Sequence, residues 1–371
     1  MHVLITSDTV GGVWTYTQEL VTGLVHGGHR ITLVSFGKLP LPHQTAWMQT
    51  LPGVDYRPTE YRLEWMEVAE RDIEESKRYL ELLVREVQPD VLHLSQYCYG
   101  NISVQIPKVV IAHSDVVSWW VAVHGKEPDD TPWTRSYREM VTSGLRAADV
   151  VVAPSQWMLD QVSKYYLVPD IRRVVYNGRT SASFDPNQSK DDFVLSVGRL
   201  WDPAKQVSLL LDPRLLNLGD PARTCIIGWQ QEPGRAGING VANVPDNVQL
   251  LGAKSQTELR ALYARAAIYV ATSRYEPFGL APLEAALSRC ALVLNDNPVF
   301  HELWGEAGCY FKKDDPEDMA RAIAELRRFP DLRREYSERA YEVAREKFAA
   351  DRKVEQYENI YQDVATPASI E

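Results

Sequence analysis

Two glutamates are spaced along one stretch of the chain in a way that suits the binding of hydroxyl groups. Glu276 lies just before a predicted helix, and Glu284 lies eight positions further on, inside it. At about 1.5 Å per helical residue, the two carboxylates would be roughly 12 Å apart, enough to hold one sugar on each side of a diphosphate. The alternative is that Glu284 is an ordinary helix carboxylate and that Glu276 only favours the positive end of the helix dipole.

The start of the same helix has the features of a phosphate-binding turn. Pro282 fits the first helical turn, where its missing N–H costs nothing. The backbone N–H groups of Phe278, Gly279 and Leu280 would then point out of the helix start, where they could bind a phosphate. This stretch therefore predicts contact with a phosphorylated ligand.

A second stretch places two cations directly after a predicted strand. Gly198 permits a tight exit from that strand, and Arg199 and Lys205 follow it. Two fixed cations could stabilise the negative charge of a departing nucleoside diphosphate without a metal ion. The alternative is a solvated pair on a loop, which is the commoner fate of surface arginines and lysines.

Two further candidates lie in the first half of the chain. Gly12 ends a glycine pair after the first predicted strand and could let the backbone approach a ligand, although a simple tight turn is the alternative. His113 follows another strand, where active-site groups are expected. Its neighbours Ser114 and Asp115 are too close in sequence for a catalytic triad, and no GxSxG motif is present. The absence of a GxGxxG motif likewise disfavours a nicotinamide dehydrogenase.

Short apolar runs alternate with helical patterns along the chain, which predicts βαβ units and parallel sheets. Strands are predicted at residues 2–6, 30–35, 91–94, 108–112, 150–153, 193–197, 224–227, 248–251, 268–271 and 291–294. Helices are predicted at residues 14–26, 63–86, 155–164, 316–329, 332–347 and 351–364. Because a polar stretch at residues 180–192 separates two such series, we expect an α/β protein of two doubly wound, Rossmann-like domains that face each other across a cleft.

Composition excludes several classes of protein. The 371 residues carry a net charge of −10, and residues 1–185 and 186–371 each carry −5. Neither half is therefore a cationic module for nucleic acid, and the charge does not support peripheral attachment to an anionic membrane. The four cysteines and eight histidines lack metal-ligand spacing, so neither a disulfide framework nor a metal site is predicted. Without an evident signal peptide or membrane span, we expect a cytoplasmic protein.

Together, these motifs resemble those of a retaining, nucleotide-sugar-dependent glycosyltransferase of family four, which has the GT-B fold. The resemblance covers nearly the whole chain and is strongest from residue 193 to about residue 311. It rests on an ordered set of motifs: Gly11-Gly12, Ala153-Pro154-Ser155, Asn177-Gly178, Gly198-Arg199 with Lys205, Glu276 with Glu284, and His301-Glu302 with Gly305 and Gly308. A single element is common elsewhere, but the ordered set is specific.

The resemblance implies a role for each matching residue. Arg199 and Lys205 would contact the donor diphosphate, Glu276 would hold hydroxyls of the transferred sugar, and His113 would lie at the reacting anomeric carbon. The residues expected to bind the donor are Gly12, Gly198, Phe278, Gly279, Leu280 and Glu284, the last through the ribose. The implied mechanism is front-face attack with retention, in which the leaving phosphate takes the proton of the acceptor, without a metal ion or prosthetic group.

The implied substrates are a nucleoside-diphosphate sugar, with UDP or GDP favoured, and a hydroxyl-bearing acceptor that is a glycan, a lipid-linked molecule or a small molecule. Trp119, Trp120 and Trp133 could stack on the acceptor, and the alternative for them is core or inter-domain packing. We expect an acceptor-side domain at residues 1–183, a nucleotide-sugar domain at residues 184–350, and a helix and tail at residues 351–371 that cross back to the first domain.

The sequence also departs from the family pattern. Residues 289–291 stand where a glycine and a proline are usual, and residues 297–300 replace a glycine-rich turn that lines the donor. These departures leave the identity of the sugar open. Two other functions stay open as well: a sugar-nucleotide epimerase of the same fold, and a catalytically silent partner that binds sugar nucleotides.

Overall fold

The computed structural model describes residues 1–9, 11–212, 222–228 and 244–366. The chain divides into two compact units. Unit 1 comprises Met1–Val121, Lys126–Gly178 and Ala350–Glu371, and unit 2 comprises Ala122–Gly125 and Arg179–Ala349. Each unit has one parallel sheet with interleaved helices, which confirms the predicted two-domain, Rossmann-like α/β class. The domain boundaries predicted at 183/184 and 350/351 stay predictions.

Unit 1 is built on a sheet of seven described strands. These are β1 (His2–Asp8), β2 (Arg30–Phe36), β3 (Val54–Pro58), β4 (Val91–Leu94), β5 (Lys108–Ile111), β6 (Val150–Ala153) and β7 (Arg172–Val174). Their order is β3-β2-β1-β4-β5-β6-β7, and every described pairing is parallel. The central strands are continuous apolar runs because helices cover both faces of the sheet. The direction of strand order reverses between β1 and β4, which is where open parallel sheets bind ligands.

Six described helices precede residue 179. They are α1 (Gly12–His26), α2 (Pro42–Thr45), α3 (Glu70–Val87), α4 (Val116–His124), α5 (Pro132–Arg146) and α6 (Gln156–Tyr165), with 3₁₀ turns at Ala46–Thr50 and Tyr97–Asn101. All six helices belong to unit 1 except for the end of α4. The helix predicted at residues 63–86 is wrong at its start, because α3 begins at Glu70. The preceding residues are used otherwise: the buried Glu64 carboxylate accepts hydrogen bonds from the N–H groups of Tyr97 (3.0 Å) and Cys98 (2.7 Å).

Unit 2 is built on a sheet of six described strands. These are β8 (Asp191–Val197), β9 (Thr224–Ile227), β10 (Val248–Leu250), β11 (Ala266–Ala271), β12 (Ala291–Asn295) and β13 (Gly308–Phe311), in the order β10-β9-β8-β11-β12-β13. The helices are α7 (Gln256–Arg265), α8 (Leu280–Leu287), α9 (Pro298–Trp304), α10 (Pro316–Arg328) and α11 (Pro330–Lys347), with 3₁₀ turns at Ser181–Ser183, Val207–Leu211 and Gly305–Ala307. Here the strand order reverses between β8 and β11.

The last described helix, α12 (Ala350–Ala365), packs on α1 of unit 1. Gly23 of α1 makes this close approach possible, because a Cβ there would lie 2.3 Å from Cγ2 of Val354. Tyr357 and Tyr361 are 1% and 0% exposed and join the core of unit 1, so α12 is packed through its tyrosine face. The end of the predicted tail, residues 367–371, lies outside the described residues.

Candidate active site

The reversal of strand order in unit 2 brings two of the predicted residues together. β8 and β11 are neighbours, so the segments that follow them leave the same edge of the sheet side by side. Lys205 follows β8 and Glu276 follows β11, and Lys205 Nζ lies 2.5 Å from Glu276 Oε2. Their side chains are 21% and 14% exposed, so this ion pair is well shielded from water.

Hydrogen bonds fasten these two segments to each other along the backbone. The N–H of Arg274 donates to the carbonyl of Ala204 at 2.8 Å, and the Thr272 hydroxyl donates to the carbonyl of Lys205 at 2.7 Å. The Ser273 hydroxyl donates to Glu276 Oε2 at 3.3 Å. The Lys205–Glu276 pair is therefore part of a fixed loop cluster rather than a chance surface contact.

Two buried asparagines support this loop cluster and were not singled out in the sequence. The Asn295 and Asn297 side-chain amides donate to the carbonyl of Ser273 at 3.3 and 3.0 Å. Asn297 also begins α9, because its side-chain oxygen accepts the N–H of Phe300 at 2.9 Å. The only signal in the sequence was the departure at residues 297–300, where a capping asparagine precedes Pro298.

Arg199 lies at the same sheet edge and is held by a neighbour in the chain. Its Nη2 and Nε lie 2.6 and 3.2 Å from Oδ2 of Asp202, which is 3% exposed. The guanidinium also lies over the Trp201 ring, 5.4 Å from its centre. The preceding Gly198 bonds through its N–H to the carbonyl of Ile227 at 2.9 Å. Arg199 and Lys205 are thus two oriented cations, each matched to a carboxylate.

The predicted phosphate-binding turn leads into α8. Gly279 has φ = +93°, a left-handed conformation that glycine adopts at little cost, and it immediately precedes the helix. The ring of Phe278 is 2% exposed and packs against Phe348, with the ring centres 5.2 Å apart, so only its backbone is available to a ligand. The N–H groups of residues 278–280 therefore lie at the positive end of α8, next to Glu276.

Glu284 lies further along α8 and is almost fully buried. Its Oε1 lies 3.1 Å from Nε of Arg179, and the two side chains are 7% and 2% exposed. The hydroxyl of Tyr263 faces the same carboxylate: burial first, and then the charge of Glu284, raise the pKa of Tyr263 well above its ordinary value. Arg179 carries no sequence signal of its own, because it lies between the Asn177-Gly178 motif and the polar stretch at residues 180–192.

The structure places Gly12 and His113 in unit 1. Gly12 is the first residue of α1, and Gly11 before it has φ = +71° and ψ = −140°, which only glycine adopts readily. His113 Nε2 lies 3.2 Å from Oγ of Ser95, and its ring meets the edge of Tyr16 with the centres 4.6 Å apart. Burial, and next the positive charge of Lys353, lower the pKa of His113 to about 3, so this ring is neutral at pH 7.

Asp115 of the rejected triad and the nearby His93 both have hydrogen-bond partners outside that triad. Asp115 accepts hydrogen bonds from the N–H of Val117 at 2.8 Å and the hydroxyl of Tyr166 at 2.6 Å, so it fixes the start of α4. His93, which lies on β4, is fully buried between two hydroxyls: Tyr16 Oη is 3.2 Å from its Nε2 and Tyr361 Oη is 2.7 Å from its Nδ1. Burial, then the charges of His113 and Lys353, lower the pKa of His93 well below its ordinary value.

The three predicted acceptor tryptophans also lie in unit 1, and each is half-buried. Trp119 and Trp120 are neighbours on α4, with ring centres 6.2 Å apart. Trp133 lies in the first turn of α5 and stacks on Tyr137 at 5.7 Å with an interplanar angle of 18°. This stacking shows a packing role for one face of Trp133, and acceptor binding by the three rings stays a prediction.

Within the described ranges, no group of three or more His, Cys, Asp or Glu side chains could hold a metal ion. All four cysteines carry free thiols. No described helix is both long and apolar enough to cross a bilayer.

Comparison with known proteins agrees with this fold. Residues 10–180 match the family model of Glycosyltransferase Family 4, and residues 179–343 match that of Glycosyl transferases group 1. The two parallel-sheet units thus define a glycosyltransferase of the GT-B fold. The chain belongs to glycosyltransferase family 4.

Individual relatives are distant in sequence. The chain is 26% identical over 198 residues to the O-antigen chain mannosyltransferase RfbU of Salmonella typhimurium, a match that covers 53% of this chain and 56% of that relative. The sucrose-phosphate synthase structure of Thermosynechococcus elongatus has a TM-score of 0.80 at 16% identity and covers 98% of both chains. Anabaena HepE in complex with UDP-glucose has a TM-score of 0.73 at 14% identity, covering 98% of this chain and 100% of that one.

Proposed function

We propose that this chain is a retaining glycosyltransferase that moves a sugar from a nucleoside-diphosphate sugar to an acceptor hydroxyl without a metal ion. The observation that carries the proposal is the Lys205–Glu276 ion pair, which lies with Arg199 at the point where the strand order of unit 2 reverses. Parallel sheets bind nucleotides at this point. The start of α8, next to Glu276, supplies backbone N–H groups suited to a phosphate.

In this proposal the phosphates of the donor replace the carboxylates that now pair with Arg199 and Lys205. A diphosphate carries more negative charge than the single carboxylates now beside Arg199 and Lys205, so each cation gains by turning to a phosphate oxygen. Glu276 is then available to accept hydrogen bonds from the sugar hydroxyls. As the C1–O bond breaks, the negative charge that develops on the leaving phosphate is met by two cations already in place.

The transfer step needs no separate base. The acceptor oxygen attacks the anomeric carbon from the side of the leaving group, the C1–O bond to phosphate breaks, and the phosphate oxygen takes the acceptor proton. This front-face course retains the configuration. His113 is kept neutral by burial and by Lys353, so its ring or its backbone carbonyl can lie beside the positive anomeric carbon without repelling it.

The relatives support a proposal for the chemical class of each substrate. The Salmonella relative is a mannosyltransferase, and the Anabaena structure holds UDP-glucose, so a hexose on UDP or GDP is the donor class we propose. The acceptor is a hydroxyl-bearing glycan, lipid-linked or small molecule that stacks on Trp119, Trp120 or Trp133. The free thiols suit a reducing compartment, and we keep the cytoplasm as the proposed location.

A thermal-shift panel of UDP-, GDP- and ADP-sugars tests the proposal first, because a ligand that binds the folded state raises the melting temperature. With the donor so identified, Glu276→Gln and Arg199→Met should each lower transfer at least 100-fold while the circular dichroism spectrum stays unchanged. The matched control is Arg265→Met. Arg265 pairs in the same way with the carboxylate of Asp191 at the start of β8, and its removal should leave full activity.

The same panel separates the open alternatives. Conversion of the donor to another sugar nucleotide without acceptor would show an epimerase. Donor binding without transfer, hydrolysis or conversion would show a silent binding partner. Wild-type-like transfer in both Glu276→Gln and Arg199→Met would refute the assigned site.

A further inference from the structure

The buried pair between Arg179 and Glu284 is a feature that no sequence motif indicated. Arg179 Nε lies 3.1 Å from Glu284 Oε1, and both side chains are more than nine-tenths buried. An arginine keeps its positive charge in proteins, and a buried charge is stable only when an opposite charge accompanies it. Arg179 and Glu284 therefore hold each other in one ionised arrangement.

Three further contacts fix Arg179 itself. Its N–H donates to the carbonyl of Phe348 at 3.1 Å, and the residue pairs in an isolated parallel bridge with Ala349. Its guanidinium lies over the ring of Phe184, with Cζ 5.4 Å from the ring centre. The cation thus has a defined position that does not depend on Glu284, and it can orient the carboxylate.

The Arg179–Glu284 pair also reduces electrostatic repulsion between the proposed site and a diphosphate. Glu276 and Glu284 are both required to hold hydroxyl groups, yet two uncompensated carboxylates would repel a diphosphate. Lys205 lies 2.5 Å from Glu276 but turns to the phosphate in the proposed exchange, whereas Arg179, 3.1 Å from Glu284, stays with its carboxylate. The charge of Glu284 is thus matched from the protein side while its carboxylate accepts hydrogen bonds.

We propose that Arg179 is a positioning residue for the ribose of the donor nucleotide: it fixes the Glu284 carboxylate so that Glu284 accepts hydrogen bonds from the ribose hydroxyls. The inference rests on the proposed function, in which Glu284 faces the ribose. Arg179 acts through Glu284 alone, and it sets how well the protein distinguishes a ribonucleotide from a dideoxynucleotide.

Calorimetric titration of the full chain with UDP, GDP and their 2′,3′-dideoxy forms tests this role. The wild type should prefer the ribonucleotide at least 10-fold. In Arg179→Met this preference should fall below 3-fold, as in Glu284→Gln, while the affinity for the dideoxy form stays unchanged. A general loss of structure would weaken both ligands equally.

The matched control is Lys190→Met. Lys190 is a half-buried cation of the same unit whose Nζ donates to the carbonyls of Tyr263, Ala264 and Ser288 at 3.3, 2.8 and 2.5 Å, next to the same helices. Its removal perturbs the fold of unit 2 but leaves Arg179 paired with the Glu284 carboxylate, so the preference for the ribonucleotide should remain.

A double variant keeps the test decisive if Arg179→Met does not fold. Arg179→Met with Glu284→Gln leaves no unpaired buried charge from this pair. It should bind UDP or GDP as Glu284→Gln alone does, because Arg179 acts on the ribose only through Glu284. A further loss in the double variant, or an unchanged preference in Arg179→Met, would overturn the inference. Absence of nucleotide binding in the wild type would overturn the proposed function itself.

Discussion

Substituting Gly279 by alanine distinguishes the effect of backbone strain on stability from the effect of displacing Glu276, a proposed site residue, on activity. Gly279 has φ = +93°, and a Cβ built there would lie 3.2 Å from Cγ of Glu276 and 3.3 Å from Cγ of Pro282. A left-handed conformation costs a non-glycine residue roughly 1–2 kcal/mol. For a unit of this size, a loss of 1 kcal/mol in the free energy of unfolding lowers the melting temperature by about 2–4 °C, so the melting temperature of Gly279→Ala should fall by about 2–8 °C.

The effect on activity comes from the contact with Glu276. Carbon atoms in favourable contact stand about 3.5–4.0 Å apart, so Glu276 must withdraw by about 0.3–0.8 Å to admit the methyl group. A displacement of about 1 Å can cost about 100-fold in rate, and on that scale the smaller shift predicts a loss of about 4- to 40-fold in kcat/KM.

Gly252→Ala is the control, because Gly252 lies in the same unit and has φ = +67°, while a Cβ added there would meet no atom of the described residues within 4 Å. Initial rates of donor turnover and melting curves should be measured for both variants. Both should lose stability, and only Gly279→Ala should lose turnover. Equal losses of kcat/KM in the two variants, or full turnover in Gly279→Ala, would refute the link between this turn and Glu276.

Two further outcomes follow from unit 1. Gly144→Ala should lower the free energy of urea unfolding by about 3 kcal/mol or more, because its Cβ would lie 1.7 Å from the backbone oxygen of Tyr97. The control is Gly28→Ala, which has φ = +83° and open space among the described residues, and it should lower that free energy by only about 1–2 kcal/mol. Equal losses of stability in the two variants would contradict this prediction. The pKa of His113 falls from 6.5 to about 3 on folding, so between these values the unfolded chain binds a proton that the folded chain does not. The contribution of His113 to the free energy of unfolding is therefore present above pH 6.5 and lost towards pH 3, by up to about 1.4 kcal/mol per pH unit. Urea unfolding of His113→Gln should therefore depend less steeply on pH between 6.5 and 4.5, and an identical slope would exclude a neutral buried ring.

The apolar strands and their alternation with helices were predictable because burial on both faces of a parallel sheet leaves a continuous apolar run. Strands without such a run were missed. β7 (Arg172–Val174) is two-thirds arginine and occupies the sheet edge, where one side needs no apolar cover. The start of α3 was misplaced for a different reason: Glu64 suits a helix by local propensity, but its carboxylate is used to hold the N–H groups of Tyr97 and Cys98, more than 30 residues away.

The same distinction between local and distant information applies to the candidate site. Residue types and spacing indicated Arg199, Lys205, Glu276 and Glu284, because each follows a strand or lies at or near the start of a helix. Arg179 gave no signal, because the carboxylate that balances its charge, Glu284, lies 105 positions further along the chain.

The net charge of such a protein does not predict how it binds an anion. The chain carries −10, yet the described site of unit 2 contains three cation–carboxylate pairs: Arg179 with Glu284, Arg199 with Asp202, and Lys205 with Glu276. Two of these pairs join residues 105 and 71 positions apart, so only the folded chain can create them. In the proposed function, an anionic donor would be bound by exchange of partners at fixed cations rather than by a broad positive surface, which is how an acidic protein would hold a diphosphate.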